Sequence, residues 1–210
     1  MCIILAVALA ACGSNDGAGT GLSGHAPETG ESQEAAGAGE EAGTAEADKD
    51  VLVVYFSRTG NTKEVAEKIA AVTGADLYEI TAAQEYTDGD LDWNNENSRT
   101  TKEQNDTSVR PEIGSDPVSL EGYSTIYIGY PIWWGQEPRI MDTFVESCNF
   151  DGKTVIPFCT SASSGIGSSG SNLEALAGNG TWLDGQRFGA GASEEEIASW
   201  VNSTTGGTEG

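Results

Sequence analysis

The chain has 210 residues, with 33 acidic against 10 basic side chains and a formal net charge of −23. A surface this negative repels phosphate backbones and has little with which to displace their counterions, which excludes nucleic acid as a partner. The only His is His25, and Cys2, Cys12, Cys148 and Cys159 form no CxxC pair, so His-based catalysis in a folded core, zinc ribbons and clustered iron–sulfur sites are excluded as well.

Ile3 to Ala11 is continuously apolar but too short to cross a bilayer as a helix. It resembles the apolar part of a secretion signal. Leu9-Ala10-Ala11-Cys12 resembles the bacterial lipobox, in which the Cys is diacylated and becomes the mature N-terminus. That resemblance makes residues 1–12 a lipoprotein signal, Cys12 the lipidated residue, and the extracytoplasmic face of a bacterial cell membrane the location. No Lys or Arg precedes the apolar run, so either the true start lies upstream of Met1 or the signal is a weak one. A short buried strand or helix is the competing reading.

Residues 13–50 are rich in Gly, Ala, Glu and Ser, with Leu22 their only large apolar side chain. Such a segment cannot bury enough surface to offset its ordering entropy, and a disordered linker is expected. As a flexible coil it would span about 35 Å between its ends, a leash for a soluble domain, with His25 a solvated residue upon it. The charge divides unevenly: residues 51–210 hold 24 acids against 9 bases, a net of −15.

Val51 to Phe56 is an unbroken apolar run, expected for a strand covered on both faces of a parallel sheet. Asn61 to Thr73 carries Val65, Ile69 and Val72 at helical spacing and ends at Gly74. Asp76 to Ile80 reads as a second strand, Ser124 to Tyr130 as a third and Lys153 to Cys159 as a fourth, although Pro157 argues against a central position. Ala82 to Glu121 is polar, with Trp93 its main apolar anchor, and a structureless loop of that length is uncommon, so a helix is expected around Asp90 to Gln104. Pro138 to Ser147 is helical, a fifth strand lies near Thr181 to Leu183, and Ser193-Glu194-Glu195-Glu196 is a capping box opening a helix that buries Ile197, Trp200 and Val201. Strands alternating with helices give a doubly wound α/β sheet, which binds ligands at the carboxyl ends of its strands. Cys148 and Cys159 fall near opposite edges of such a sheet, too far apart for a disulfide, and read as small buried hydrophobes.

Between the first strand and first helix stands Ser57-Arg58-Thr59-Gly60-Asn61-Thr62. Short hydroxyl and amide side chains, a Gly that lets the backbone curl, and the open N–H groups of a helix start together favour an anion. This loop has the form of neither GxxxxGK[ST] nor GxGxxG, which leaves a phosphate monoester rather than a nucleoside triphosphate or dinucleotide for it to hold. A polar turn with an ordinary helix cap is the bland alternative.

These residues resemble the Thr/Ser-x-Thr-Gly-x-Thr loop of flavodoxins. Gly129-Tyr130-Pro131-Ile132-Trp133-Trp134-Gly135-Gln136-Glu137-Pro138 is similar to the Tyr-Pro-Ile-Trp-Trp-Gly segment of a flavodoxin-like branch common among bacterial lipoproteins and small oxidoreductases. Pro157-Phe158-Cys159-Thr160-Ser161-Ala162-Ser163-Ser164-Gly165-Ile166-Gly167 resembles that branch's loop after its fourth strand. The likeness runs from about Val51 to Val201, within a domain of residues 51–205. It implies a three-layer flavodoxin-like fold, a five-stranded parallel sheet of order 2-1-3-4-5, and FMN as cofactor. Ser57, Thr59, Gly60, Asn61 and Thr62 would hold the phosphate. Pro131, Ile132, Trp133, Trp134 and Gly135 would lie along the ring, with one Trp stacking and the other in the core. Thr160, Ser161, Ala162, Ser163, Gly165 and Gly167 would approach its edge. Gly129 or Gly135 would let a carbonyl turn toward the flavin. Relatives often carry His and Gly where this chain has Ala162 and Ser163.

The implied function is an FMN-binding, membrane-tethered electron-transfer protein serving redox partner proteins. An FMN-dependent NAD(P)H:quinone-type oxidoreductase with a small acceptor such as a quinone is the alternative, with Asp88 to Gln104 as its lid. A flavin-less lipoprotein that keeps the fold as a binding module is the third reading.

Overall fold

The computed structural model describes residues 50–205. The lipobox, Cys12 and nearly all of the expected linker lie outside them. Among the described residues no helix is long and apolar enough to cross a membrane.

The elements in chain order are β1 (Val51–Phe56), α1 (Asn61–Thr73), β2 (Asp76–Ile80), α2 (Arg99–Asn105), β3 (Thr125–Pro131), α3 (Arg139–Ser147), β4 (Thr154–Thr160), α4 (Ser169–Ala177), β5 (Thr181–Trp182), β6 (Gln186–Phe188) and α5 (Glu194–Thr205). Every strand pairing is parallel and the order is β2-β1-β3-β4-β5, with β6 also on β4. This is the strand order that the resemblance implied, with β6 a sixth strand beyond the five it implied. The unbroken apolar strands are explained by their two covered faces. Leu52, Val54, Phe56, Ile126, Ile128 and Tyr130 pack beneath α3 and α4. Val53, Tyr55, Tyr127, Ile156 and Phe158 pack beneath α1 and α5. The result is three layers.

Pro157 sits inside β4 because of what lies beside it. Thr154 N–H donates to Ser124 O of the β3 side, whereas Val155 O accepts from Leu183 N of the β5 side, so odd-numbered residues of β4 face outward. The N–H that Pro157 lacks therefore belongs to the outer edge. There the neighbouring strand is broken: Val155 pairs Trp182 but Phe158 pairs Gln186, one residue too many for an even ladder. This bulge separates β5 from β6, and Gly185 passes so close that an added Cβ would lie 2.7 Å from Pro157 O.

The segment between β2 and β3 corrects two expectations. The helix is shorter than Asp90 to Gln104: α2 begins at Arg99, and Thr87 to Ser98 is a chain of turns. Its short polar side chains satisfy the backbone locally, as in Asn94 N–H to Asp92 Oδ1 at 3.0 Å and Asn97 N–H to Asn95 Oδ1 at 2.9 Å, which competes with helix. Trp93 is not the anchor, being 75% exposed; Tyr86 and Leu120 are the buried ones. Ala83 N to Glu112 O at 2.9 Å and Gly114 N to Thr81 O at 2.7 Å close the base of this excursion.

Ser193 caps α5 by accepting from Glu196 N at 3.1 Å. Cys148 and Cys159 are both free thiols; Cys159 is buried, Cys148 only partly so. Burial pushes the Cys159 thiol up to about 12.

Candidate functional site

The carboxyl ends of β1, β3 and β4 meet through one residue, Thr160. Its hydroxyl lies 2.7 Å from the Thr62 hydroxyl in the first turn of α1, and its carbonyl accepts from Ile132 N, just beyond β3, at 2.9 Å. All three loops singled out in the sequence are thus brought together.

In the first loop Gly60 caps α1 with φ of +89°, a conformation in which a side chain would be strained. Glu64 N to Gly60 O, 2.9 Å, is the first bond of the helix. The amides of Asn61, Thr62 and Lys63 consequently have no backbone acceptor among the described residues and carry the positive end of the helix dipole. Thr59 and Asn61 are exposed, their side chains 3.3 Å apart. Ser57 Oγ is buried and has no hydrogen-bond partner among the described residues. Arg58 does not face this group: its guanidinium donates to Tyr86 O and to Asp88 at 3.2 Å, fastening the Thr87 turn to the loop.

The second loop is a tight hairpin. Trp133 N–H donates to Gln136 O at 2.9 Å, and Gln136 N–H donates back to Trp133 O at 3.0 Å. Trp134 and Gly135 at its tip have φ of +52° and +77°, as a type I′ turn requires. Trp134 is the only non-glycine residue with positive φ among those described. The two tryptophans separate. Trp133 packs edge-on against Phe56 at 5.5 Å and Tyr86 at 5.2 Å; Trp134 is exposed. Gly129 makes no turn: it lies within β3, where a Cβ would fall 2.1 Å from the Phe158 ring.

Behind the hairpin a buried charge cluster fixes Gln136 and Glu137. Arg139 Nη1 lies 3.3 Å from Glu137 Oε1 and 3.1 Å from Asp142 Oδ2. Asn172 of α4 donates to Gln136 Oε1 at 2.9 Å and reaches Glu137 at 3.2 Å, and Gln104 of α2 donates to Glu137 O at 3.0 Å. Burial, and then the Asp142 charge, push the Glu137 carboxyl up; burial does the same for Asp142 against the pull of Arg139 and Arg110.

The third loop is small and open: Ala162, Ser163, Ser164, Gly165 and Gly167 are exposed, with Ser161 half-buried. Gly167 comes within contact of Gly135 O, 3.8 Å from where its Cβ would stand. Between the loops lies a cleft of about 530 Å³ lined by Ile132, Trp133, Trp134, Gly135 and Ser164, and by Leu91 and Trp93 from the β2–β3 excursion. Sequence reasoning named Leu91 only as part of the Asp88 to Gln104 lid and missed Arg187 altogether. Leu91 lies in a polar stretch, and Arg187, which holds the third loop from β6, stands alone in Gln186-Arg187-Phe188.

A helix-start loop with unpaired amides, an aromatic hairpin and a small-residue loop, at the carboxyl edge of a parallel sheet of order 2-1-3-4-5, define a flavodoxin-like α/β protein. The flavodoxin family model Flavodoxin_4 matches residues 50–204, and the chain belongs to that family. It is similar to a structure from Bacteroides eggerthii assigned as a flavoprotein, with 44% identity over 74% of this chain and 98% of that one and a TM-score of 0.69. A Bacteroides uniformis structure so assigned is 44% identical over 73% and 97%, with a TM-score of 0.70. The fold is shared with a Lactobacillus acidophilus flavoprotein in complex with FMN, 23% identical over 72% and 98%, TM-score 0.55. No curated protein matches the chain.

Proposed function

We propose that the chain binds FMN across the three loops and acts as an electron-transfer protein tethered to the membrane through lipidated Cys12, exchanging electrons with redox partner proteins. The observation that carries this reading is Ser57 Oγ, a buried hydroxyl without a partner among the described residues, in the turn before the open amides of α1. A phosphate there supplies the acceptor that both the hydroxyl and the amides lack. FMN in the Lactobacillus acidophilus relative is in keeping with it.

Ser57, Thr59, Asn61 and Thr62, with the amides about Gly60, would hold the phosphate. Pro131, Ile132 and Gly135 would line the ring, with Trp134 as the exposed aromatic face and Trp133 as its support. Thr160 to Gly167 would close the far edge. When bound, FMN supplies the redox chemistry, taking up and passing on electrons. The chain's part is to bind the cofactor, exclude water from one side through Trp133 and Ile132, and tune the potential.

A second reading has an observation of its own. Leu91 and Trp93 wall the same cleft, which suits an FMN-dependent oxidoreductase that takes hydride from NAD(P)H and reduces a planar acceptor such as a quinone. Steady-state oxidation of NAD(P)H by the FMN-loaded full chain with a soluble quinone separates the two: rapid turnover supports the enzyme, and FMN reduction without turnover supports the carrier. A chain that binds no FMN is the flavin-less binding module.

A further inference from the structure

Arg187 of β6 lies opposite Cys159 in the ladder and reaches over the end of β4. Its Nη2 donates to Ser161 O at 2.6 Å and to Ala162 O at 2.7 Å, and its Nε donates to Ser161 Oγ at 3.2 Å. In a trans peptide the C=O and the following N–H point to opposite sides. With both carbonyls turned toward the guanidinium, the amides of Ala162 and Ser163 must point away from it. Neither amide donates to an acceptor among the described residues, and both residues are exposed. Two successive open amides make a concavity that favours negative charge.

The guanidinium is also uncommitted electrostatically. Of the arginines in the described chain, Arg58, Arg99, Arg110 and Arg139 each have a carboxylate within ion-pair distance, and Arg187 has none among the described residues. In a region of net charge −15, this half-buried cation stands directly behind a loop that borders the cleft through Ser164.

We propose that Arg187 is a positioning residue for the flavin. It grips the Ser161 and Ala162 carbonyls so that the Ala162 and Ser163 amides face the electron-rich pyrimidine edge of the cofactor, and its charge raises the potential of a site embedded in an acidic domain. The proposal rests on FMN occupying the cleft. Two electrons and one proton added to FMN leave one negative charge at that edge, so aligned amide dipoles with a fixed cation behind them favour the reduced form. The small side chains at Ala162 and Ser163 then have a role, because they leave the amides uncovered. A Lys cannot replace the fork, since an ammonium is a point charge that does not bridge two carbonyls and a hydroxyl in one plane.

The test is a potentiometric titration of FMN bound to the full chain, unaltered and as Arg187→Gln and Arg187→Lys. Arg187→Gln should lose about tenfold of its preference for the reduced over the oxidised cofactor, a fall of about 30 mV for a two-electron couple, with Arg187→Lys recovering only part of it. An unchanged potential in an FMN-loaded Arg187→Gln chain overturns the proposal and leaves the function standing. Full recovery in Arg187→Lys would show that charge alone acts and would overturn the carbonyl grip. If Arg187→Gln does not fold, Arg187→Lys decides: a potential below that of the unaltered chain supports the proposal, and an equal one overturns it. Failure of the unaltered chain to bind FMN overturns both function and proposal.

Discussion

Under the proposed function, Ser57 and the two tryptophans would divide between holding the fold and serving the cofactor. A buried hydroxyl without a partner costs the unliganded chain stability. Ser57→Ala should therefore leave its urea unfolding unchanged or raise it by up to about 1 kcal/mol, while weakening FMN by about tenfold, or about 1.4 kcal/mol. Denaturation and fluorescence titration of the same preparation check both signs together. Trp134 holds a left-handed conformation that costs a side-chain-bearing residue about 1 kcal/mol. Trp134→Gly should thus stabilise the unliganded chain by about that amount and weaken FMN. Trp133→Ala opens the Phe56–Tyr86 cluster instead and should cost about 3 kcal/mol in the same measurement. Equal losses of stability in the two variants would contradict the division of roles.

Between elements, the Glu137–Arg139–Asp142 cluster joins α3 to the hairpin, with Gln104 of α2 and Asn172 of α4 completing it. Two buried carboxylates share one buried guanidinium, so desolvation outweighs pairing and the Glu137 carboxyl sits above its ordinary value of 4.5. The folded chain then holds this proton more tightly than the unfolded chain does. The carboxyl's contribution to stability falls as pH rises from near 4.5 through the raised folded value, and is constant above it. Glu137→Gln has no such proton. Its stability relative to the unaltered chain should grow between pH 4.5 and pH 7 in paired denaturation curves, and a relative stability that shrinks across that window would contradict the burial argument.

At this same scale the sequence was legible wherever periodicity was strong. Val51 to Phe56, Asn61 to Thr73 and Ser124 to Tyr130 fall within a residue of β1, α1 and β3, because runs covered on two faces and amphipathic stripes leave a plain pattern. It failed where tertiary contacts decide. Ser169 to Ala177 is a helix that buries only Ser169 and Leu173, and its Ser and Gly read as loop. Gln186 to Phe188 is a strand only because the bulge beside Pro157 returns it to β4. In the candidate site, the first loop was readable as a helix start from residue types and spacing, since a helix start gathers its donors locally. The partition of Trp133 from Trp134 was not readable, because adjacency says nothing about which side of the hairpin meets Phe56. Arg187 was invisible for the same reason: its partners lie 25 and 26 residues away.

For the whole molecule, the charge of −23 disfavours polyanionic partners and shapes how a site within it can meet an anion. Arg58 and Arg187 both hold carbonyls, but Arg58 is also paired with Asp88, so under the proposed function the phosphate would be met by amides and hydroxyls, and Arg187 would be the cation left to act on the ring. The proposed anchor lies outside the described residues and has its own check. Cys12→Ala should move the chain from the membrane to the aqueous fraction of cells, and a membrane-bound variant would contradict lipidation at that residue. The central claim is tested most directly by adding FMN to the full chain and separating free from bound flavin. The account predicts one FMN retained per chain at micromolar concentration, with the altered visible spectrum of a flavin beside an aromatic ring. Flavin that elutes entirely free of the folded protein would contradict it.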